Sequence, residues 1–343
     1  MSFVFSGIKG FGNDNHRLIQ NPNCQVGLYW YSLTMPLQNH QHNFVDQHDF
    51  LDQYFSLRFN PNGDRRLIKK AENLKKERLK ELKYLYVYRD EKYVRQDLLP
   101  QLQSGNPIKL RLSDPRYFND PSDSKFPDDY ILRCVCSGDQ LEYFKTYGDS
   151  QTRKKLSNLC EEPRNKFMDR LGIRCFSENP FLPRMWHCYA GQNKGVCLGY
   201  ATEVLSLEWI EGWDPFPYIF PVRYSDNPRD REIDELNQHG TEYLTEHQKD
   251  RQMACSVLTK NTCWSHEQEW RWVMIFSDDS DHNDVFISQE VRDEYKNKLL
   301  PLSPRCIYTG TCMDSSLEDQ LRAAAASRGI QVIKMKESDL CRE

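Results

Sequence analysis

Residues that could do chemistry are concentrated in the segment Trp264–Phe276 of this 343-residue chain. It reads W-S-H-E-Q-E-W-R-W-V-M-I-F and becomes a plain apolar strand toward its end. Side chains at i and i+2 share one face of an extended chain, so Glu267, Glu269 and Arg271 are predicted to line one surface. Neighbouring carboxylates repel, and each raises the pKa of the other. The spacing therefore predicts a functional site, and the alternative is a solvent-facing strand edge with Arg271 as a salt-bridge partner.

Metal chemistry is a second possibility raised by the residue types. Cys134 and Cys136 form a C-x-C, and His40 and His42 form an H-x-H, but the sequence has no C-x-x-C pair. Scattered cysteines are more typical of buried thiols that act as small hydrophobic groups. We therefore predict no metal site.

Two further chemistries remain open at this stage. A magnesium-dependent nuclease would use acidic residues, but the E-x-E motif lacks the lysine of the usual nuclease E-x-K. Acid–base or nucleophilic catalysis could use a histidine or cysteine, although a histidine beside tryptophan is often simply packed and sequence neighbours seldom form a dyad. The residues concerned are Asp120, Asp123, Glu267 and Glu269 for the nuclease, and His187, Cys188, Cys263 and His266 for the other chemistry.

The amino-acid composition predicts where the protein is located better than it predicts its function. The formal net charge is −4 and the sequence pI is about 6.2, which gives no overall signal for nucleic acid or an acidic membrane. The opening residues have neither a basic region nor an apolar run of signal-peptide length, and nothing approaches the roughly 18 apolar residues of a membrane span. We expect a cytoplasmic protein with reduced cysteines and no membrane partner.

The elements that must position the candidate site form an α+β pattern. Residues 1–60 are predicted to be an N-terminal accessory region, residues 61–83 a basic amphipathic helix, and residues 84–343 an α+β core domain with mixed or antiparallel sheets and flanking helices. There is no G-x-G-x-x-G and no P-loop lysine motif, so a Rossmann site or P-loop is not expected. Strands are predicted at Val26–Leu33, Tyr84–Arg89, Ile108–Ser113, Gly172–Ser177, Asn193–Tyr200, Phe220–Tyr224, Trp264–Phe276, Arg305–Gly310 and Ile330–Met335. Helices are predicted at Asn43–Leu57, Arg65–Lys83, residues 139–171, Pro183–Ala190, Arg231–Leu258 and Ser316–Arg328.

The helix Arg65–Lys83 carries the strongest local charge. Its polar face is rich in lysine and arginine, while leucine, isoleucine and alanine recur at helical spacing on the other face. Such a face is usually solvated, and the functional alternative is that it grips nucleic acid or another acidic partner.

Six sequence blocks in order resemble a known family. The blocks are L-Y-x-Y-R, F-N-D-P-x-D, G-I-x-C-F-S, M-W-x-x-Y-A, K-G-V-C-L-G-Y and W-x-x-E-x-E-W-R. Together they look like the bacterial domain-of-unknown-function family 2971, over roughly residues 82–335. That resemblance supports the α+β core but implies no activity.

A weaker similarity connects the chain to the ADP-ribosyltransferases. The order of an arginine closing a first strand, a serine in a short F-S strand and an E-x-E opening a later strand is similar to their R-S-E arrangement. The similarity implies that Arg89 holds a phosphate of NAD, that Ser177 supports the nicotinamide–ribose pocket, and that Glu269 stabilises the ribosyl cation while Glu267 orients the acceptor. The strand reads C-F-S rather than S-T-S, and Ser113 competes with Ser177 for the same role.

The same similarity implies NAD as the substrate of a transferase or glycohydrolase. The acceptor could be a protein or a nucleic acid, and aromatic rings could stack on nicotinamide. The candidate rings are those of Trp186, Tyr189 and Tyr200, although Trp186 and Tyr189 at helical spacing are also typical of a packed core. The alternatives to this activity are a non-catalytic nucleotide- or nucleic-acid-binding regulatory module and the magnesium-dependent nuclease.

Overall fold

A seven-stranded sheet organises the part of the chain that the structure describes. The computed structural model describes residues 44–60, 63–106, 108–120, 123–124, 158, 160–166, 168–169, 171–205, 218–226, 252, 254–275 and 299–340. The strands are β1 (Tyr84–Arg89), β2 (Lys109–Arg111), β3 (Leu171–Ser177), β4 (Val196–Ala201), β5 (Tyr218–Pro221), β6 (Arg223–Tyr224), β7 (Thr259–Lys260), β8 (Glu269–Ile275), β9 (Leu299–Pro301), β10 (Cys306–Thr309) and β11 (Gln331–Lys334). The α-helices with assigned bounds are α1 (Phe44–Arg58), α2 (Arg65–Leu82), Glu91–Tyr93, Leu99–Ser104, Pro183–Cys188, Thr202–Leu205, Ser315–Ala326 and Glu337–Leu340.

The main sheet is mixed, with antiparallel pairing everywhere except at one edge. Its strand order is β11-β10-β4-β1-β3-β8-β5, and only β10 and β11 run parallel within it. Two small sheets, β2-β9 and β6-β7, lie beside it. A mixed sheet with flanking helices confirms the α+β prediction.

The two faces of the main sheet bury different side chains because successive residues of a strand point to opposite sides. Leu85 and Val87 of β1 lie in the larger hydrophobic core, which also contains residues of α1 and α2. Tyr86 and Tyr88 lie in a second cluster with Trp186 of the helix Pro183–Cys188. The sheet is therefore covered by helices on both faces, which explains why β1 is buried over most of its length.

Helix α2 is amphipathic and packs its apolar stripe inward. Asp64 caps its first turn by accepting a hydrogen bond from the Arg66 backbone N–H at 2.8 Å. Leu79 and Leu82 are buried, and the carbonyl of Leu79 accepts a hydrogen bond from the Thr202 hydroxyl at 2.7 Å. This contact fixes α2 to the segment that follows β4.

Helices α1 and α2 also reach the sheet near the candidate site. The Phe50 ring of α1 stacks on Trp270 of β8 with ring centroids 6.0 Å apart. The Trp270 indole donates to one oxygen of Glu178 at 2.7 Å, and Arg78 of α2 donates to the other at 2.9 Å. The N-terminal helices thus share the core of the sheet.

Most predicted elements are confirmed within a few residues. The predicted helices Asn43–Leu57, Arg65–Lys83 and Ser316–Arg328 correspond to Phe44–Arg58, Arg65–Leu82 and Ser315–Ala326, and the strand Tyr84–Arg89 has the predicted bounds. The predicted strand Val26–Leu33 and most of the helices predicted at residues 139–171 and Arg231–Leu258 lie outside the described residues. No helix within the described ranges is both long and apolar enough to cross a membrane.

One local prediction is wrong. The segment from Trp264 was predicted to be extended, but Thr262–Glu267 forms a 3-10 helix and β8 begins only at Glu269. Asn261 caps the 3-10 helix by accepting from the Cys263 N–H at 3.2 Å, and a cap of this kind favours the turn over a strand.

Candidate functional site

The turn before β8 brings the two glutamates together. Gln268 has a left-handed backbone, with φ of 49°, and its N–H donates to the Ser265 carbonyl at 3.2 Å. This turn reverses the chain so that Glu267 lies beside Glu269 without belonging to the strand. Glu269 and Arg271 do share one strand face, as predicted, but Glu267 reaches the same place through the turn.

Arg271 is the charged centre of the site and is fully buried. Its guanidinium donates to both oxygens of Asp123, at 2.7 and 2.6 Å, and through Nε to Glu269 at 2.8 Å. A further hydrogen bond goes to the Val257 carbonyl, and the ring of Phe118 lies 5.3 Å from the guanidinium carbon. A buried guanidinium requires such partners, because removing it from water is costly.

Lys260 links the two glutamates. Its Nζ donates to Glu267 at 2.6 Å and to Glu269 at 3.1 Å, and it lies 4.9 Å from the centroid of the Trp264 ring. One ammonium group therefore reduces the repulsion between the carboxylate at the end of the 3-10 helix and the carboxylate at the start of β8. Burial lowers the pKa of Lys260, but the two glutamate charges outweigh it and raise the pKa above its ordinary value.

Two tyrosines complete the polar contacts of the pair. The Tyr189 hydroxyl donates to Glu267 at 2.6 Å and lies 3.4 Å from the exposed amide of Asn119. The Tyr224 hydroxyl accepts a hydrogen bond from the Glu269 backbone N–H at 2.8 Å. Tyr189 is only half-buried, so its hydroxyl connects Glu267, rather than Glu269, to the side of the site that faces solvent.

The pKa values of the two glutamates shift in opposite directions. Burial raises the pKa of Glu267, with the Glu269 charge adding to it, and contacts with Lys260 and Tyr189 only partly oppose this shift. Burial also acts on Glu269, but Arg271 and Lys260 outweigh it and lower the pKa of Glu269 to about 2. Environments that push the pKa values of paired carboxylates in opposite directions are a feature of acid–base sites. The surroundings therefore favour the anion of Glu269 and make Glu267 the easier of the two to protonate.

The predicted site residues divide between the two faces of the sheet. Ser177 pairs in register with Glu269 on β8, and its hydroxyl accepts from the Asn179 N–H at 3.3 Å. Trp186 is fully buried and its indole donates to the Pro180 carbonyl at 2.7 Å. Tyr200 is also buried, with its ring against Phe176 at 5.8 Å. Of the three predicted stacking rings, only Tyr189 contacts the glutamate pair among the contacts that the structure describes.

Arg89 lies away from Glu269. Tyr86 pairs with Ser177, which pairs with Glu269, so these three residues share one row and one face of the sheet. Arg89 is three residues beyond Tyr86 on the same strand and therefore points to the opposite face. Its guanidinium carbon lies 5.1 Å from the centroid of the Tyr93 ring. Ser113, the competing serine, forms a β-bridge to Ile173 on that part of β3.

Sequence reasoning missed Lys260 and the part played by Asp123. The sequence suggested Asp123 only as a metal ligand. In the structure, Arg271 and Lys260 form ion pairs with Asp123 and also with the glutamates. Within the described ranges, no three His, Cys, Asp or Glu side chains are placed to hold a metal ion. The signal that could have identified Lys260 is the need of two adjacent buried carboxylates for more than one cation.

Comparison with known proteins matches the part of the chain that carries most of the site residues to a family model. The family model described as "Protein of unknown function (DUF2971)" matches residues 185–272. No curated protein and no solved structure matched the chain. The matched range includes Tyr189, Lys260, Glu267, Glu269 and Arg271. Over residues 185–272, the match confirms the resemblance to domain-of-unknown-function family 2971.

Proposed function

We propose that this protein is an NAD-consuming transferase or glycohydrolase that works from the Glu267–Glu269 pair. The observation that carries the proposal is that one lysine holds both carboxylates while their pKa values shift in opposite directions. Paired carboxylates with distinct roles are typical of enzymes that break glycosidic bonds through a cation-like sugar. The proposal retains the similarity to ADP-ribosyltransferases, in fold and in chemistry.

The reaction needs one carboxylate near the sugar. When the bond between ribose and nicotinamide breaks, its electron pair moves to the nicotinamide nitrogen and cancels the positive charge there, so the leaving group needs no added proton. The positive charge that develops on the ribose is stabilised by a nearby anion. Water or an acceptor group then attacks the ribose carbon, and its proton passes to a base.

Glu267 is the better candidate for that carboxylate. It bonds to half-buried Tyr189, whereas Glu269 bonds through both oxygens to Arg271 and Lys260. A raised pKa also suits Glu267 to accept the proton of the attacking group. The proposal therefore exchanges the roles implied by sequence similarity: Glu267 faces the ribose and Glu269 fixes the two cations.

The other predicted cofactor-binding residues are assigned accordingly. Tyr189 is retained as the ring beside nicotinamide, and Ser177 supports the row of the sheet that contains Glu269. Trp186 is buried, and Tyr200 pairs with Leu85 on the other face of the sheet, so neither ring is assigned to NAD. Arg89, on the other face, is not assigned to the NAD pyrophosphate.

The test is release of nicotinamide from labelled NAD by the purified full chain, followed by chromatography. We expect release by the wild type, at least about a hundredfold less with Glu267→Gln, and wild-type release with Glu162→Gln, which alters a fully exposed carboxylate. Tyr189→Phe should reduce release while leaving the fold intact. Absence of release by the wild type, or equal release by Glu267→Gln, would overturn the proposal.

A second candidate, a non-catalytic nucleic-acid-binding module, is favoured by one observation on α2. Lys69, Lys70 and Lys76 are exposed on its surface. The face is smaller than the sequence suggested, because Lys75 and Arg78 are buried and pair with Glu72 and Glu178. Neutralising the three exposed lysines should abolish salt-sensitive binding to DNA or RNA if this function holds, and nicotinamide release should then be absent from the wild type.

A further inference from the structure

A second charged cluster lies on the sheet face opposite the glutamate pair. Arg174 of β3 pairs in register with Trp272, one residue away from the Arg271 position and on the other side of the strand. It is only 4% exposed. The side chains that act on it electrostatically are Arg89, Tyr200, Cys175 and Tyr93. Two arginines and two tyrosines therefore meet where β1 ends.

Arg174 lacks the partners that Arg271 has. Its Nη1 donates to the Arg111 carbonyl at a long 3.4 Å, and its buried Nε has no hydrogen-bond partner among the described residues. Neither Arg174 nor Arg89 forms an ion pair with a carboxylate of the described residues. Burial, with the neighbouring Arg89 charge adding to it, lowers the pKa of Arg174 below its ordinary value. A buried cation in this state is an exception that requires an explanation.

Two further features indicate an anion as the missing partner. Within the described part of the chain the buried hydroxyl of Tyr200 also has no hydrogen-bond partner, so a donor that interacts electrostatically with Arg174 is unused. Arg89 is half-buried and gives the cluster a side toward solvent. The carboxylate of Asp97 interacts electrostatically with Tyr93, but it is exposed and is not the partner of the buried Arg174 among the described ion pairs.

The neighbouring strands leave this end of β1 weakly paired. β1 and β3 share a single residue pair, Tyr86 with Ser177, at the opposite end of their overlap. Toward Arg174, β3 bridges instead to Ser113, which exchanges two hydrogen bonds with Ile173. The backbone between Arg89 and Arg174 is therefore not closed by a ladder of hydrogen bonds.

We propose that Arg174, Arg89 and Tyr200 form a binding site for a phosphate group, separate from the glutamate pair. Guanidinium groups bind phosphate oxygens through parallel N–H donors, and a phenol supplies one more donor. Arg174 forms the buried base of the site and Arg89 its solvent side. The site does not depend on NAD chemistry at Glu267.

The experiment measures phosphate binding to the full chain by calorimetry and by the shift in thermal midpoint, at constant ionic strength. The probes are inorganic phosphate, pyrophosphate, ADP and citrate. We expect the phosphate-bearing probes to bind and raise the midpoint. Arg89→Gln and Arg174→Met should each weaken binding about ten- to a hundredfold, while Arg66→Gln, which alters an exposed arginine of α2, should not.

Arg174→Met also separates a binding role from a structural one. Without phosphate, its midpoint should equal or exceed that of the wild type, because it removes a buried cation with no carboxylate partner. If this variant does not fold, Arg89→Gln decides alone. Tighter binding of ADP or pyrophosphate than of inorganic phosphate identifies a nucleotide as the source, and equal binding identifies free phosphate.

The proposal is overturned if the wild type binds none of the phosphate-bearing probes, if citrate binds as tightly, or if Arg89→Gln binds like the wild type. A chain that binds phosphate but releases no nicotinamide refutes the proposed function and leaves this site standing.

Discussion

Replacement of Arg271 by methionine is the sharpest test of the charged network. Methionine fills a similar length of space, so the change removes the charge while keeping much of the packing. It leaves Asp123 and Glu269 buried, each without its strongest partner, although Lys260 still contacts Glu269. Breaking a buried ion pair by removing one partner costs about 3–5 kcal/mol.

A second estimate comes from the protonation of Glu269. Its pKa of about 2 in the folded protein lies below the ordinary 4.5, so the folded state favours the ionised form. A shift of this size corresponds to roughly 3 kcal/mol at neutral pH. Because the folded pKa is lowered, this stability is present above about pH 4.5 and is lost as the pH falls toward 2. Arg271 and Lys260 both contribute to this shift, against the effect of burial.

The assay is urea unfolding of the wild type and Arg271→Met between pH 7 and pH 3. At pH 7 we expect a loss of about 3–5 kcal/mol in the free energy of unfolding, a large share of the stability of a typical domain. The difference should shrink toward pH 3, because the stability that the lowered pKa of Glu269 gives the wild type is lost as the pH falls below 4.5. Arg66→Met is the exposed control. A loss below about 1 kcal/mol, or a difference that grows on acidification, would refute the network.

Three substitutions and one pH profile test other parts of the structure. Thr202→Val removes the hydroxyl that bonds to Leu79, and urea unfolding should show a loss of about 1 kcal/mol, whereas Thr202→Ser should retain most of it. Asp64→Ala should cost about 1 kcal/mol through the lost cap of α2, and Asp64→Asn only a few tenths. Gly310→Ala would place a methyl group 2.1 Å from the Asn193 carbonyl oxygen and should strongly lower the thermal midpoint. Gly105→Ala is the control and should lower it much less, because its added methyl group meets nothing within 4 Å and costs only backbone strain. The rate of nicotinamide release should rise with pH as Glu267 ionises, and the midpoint of this rise should lie above pH 4.5. The rise should be absent from Glu267→Gln. A rate that does not change with pH in the wild type would contradict the assigned role.

Local patterns predicted much of the fold because they are governed by short-range rules. The aromatic and β-branched alternation of Tyr84–Arg89 reproduces β1, and the apolar spacing after Asp64 reproduces α2. The same alternation predicted a strand through Glu267 and was wrong there. Asn261 and the left-handed Gln268 favour a 3-10 turn, and those effects are not visible in a count of alternating residues.

The partners of the charged residues could not be predicted from spacing alone. Arg271 and Glu269 are two residues apart, and their contact follows from strand geometry. Asp123 lies 148 residues before Arg271, and the ion pair that joins them depends on how the folded chain returns to β8. Lys260 is closer in sequence, but its role depends on the turn that was predicted as strand.

Arg174 and Arg271 show how strongly the face of a strand pair decides what a buried charge does. β3 and β8 are neighbours in register, and both arginines are almost completely buried. Arg271 points to the side that contains Asp123 and Glu269, and its guanidinium forms ion pairs with both carboxylates. Arg174 points to the other side, where the charge of Arg89 opposes its own. Arg271 is therefore paired without a ligand, whereas Arg174, in the site that we propose, is paired only when an anion is bound. Phosphate should therefore raise the thermal midpoint of Arg271→Met as it does that of the wild type.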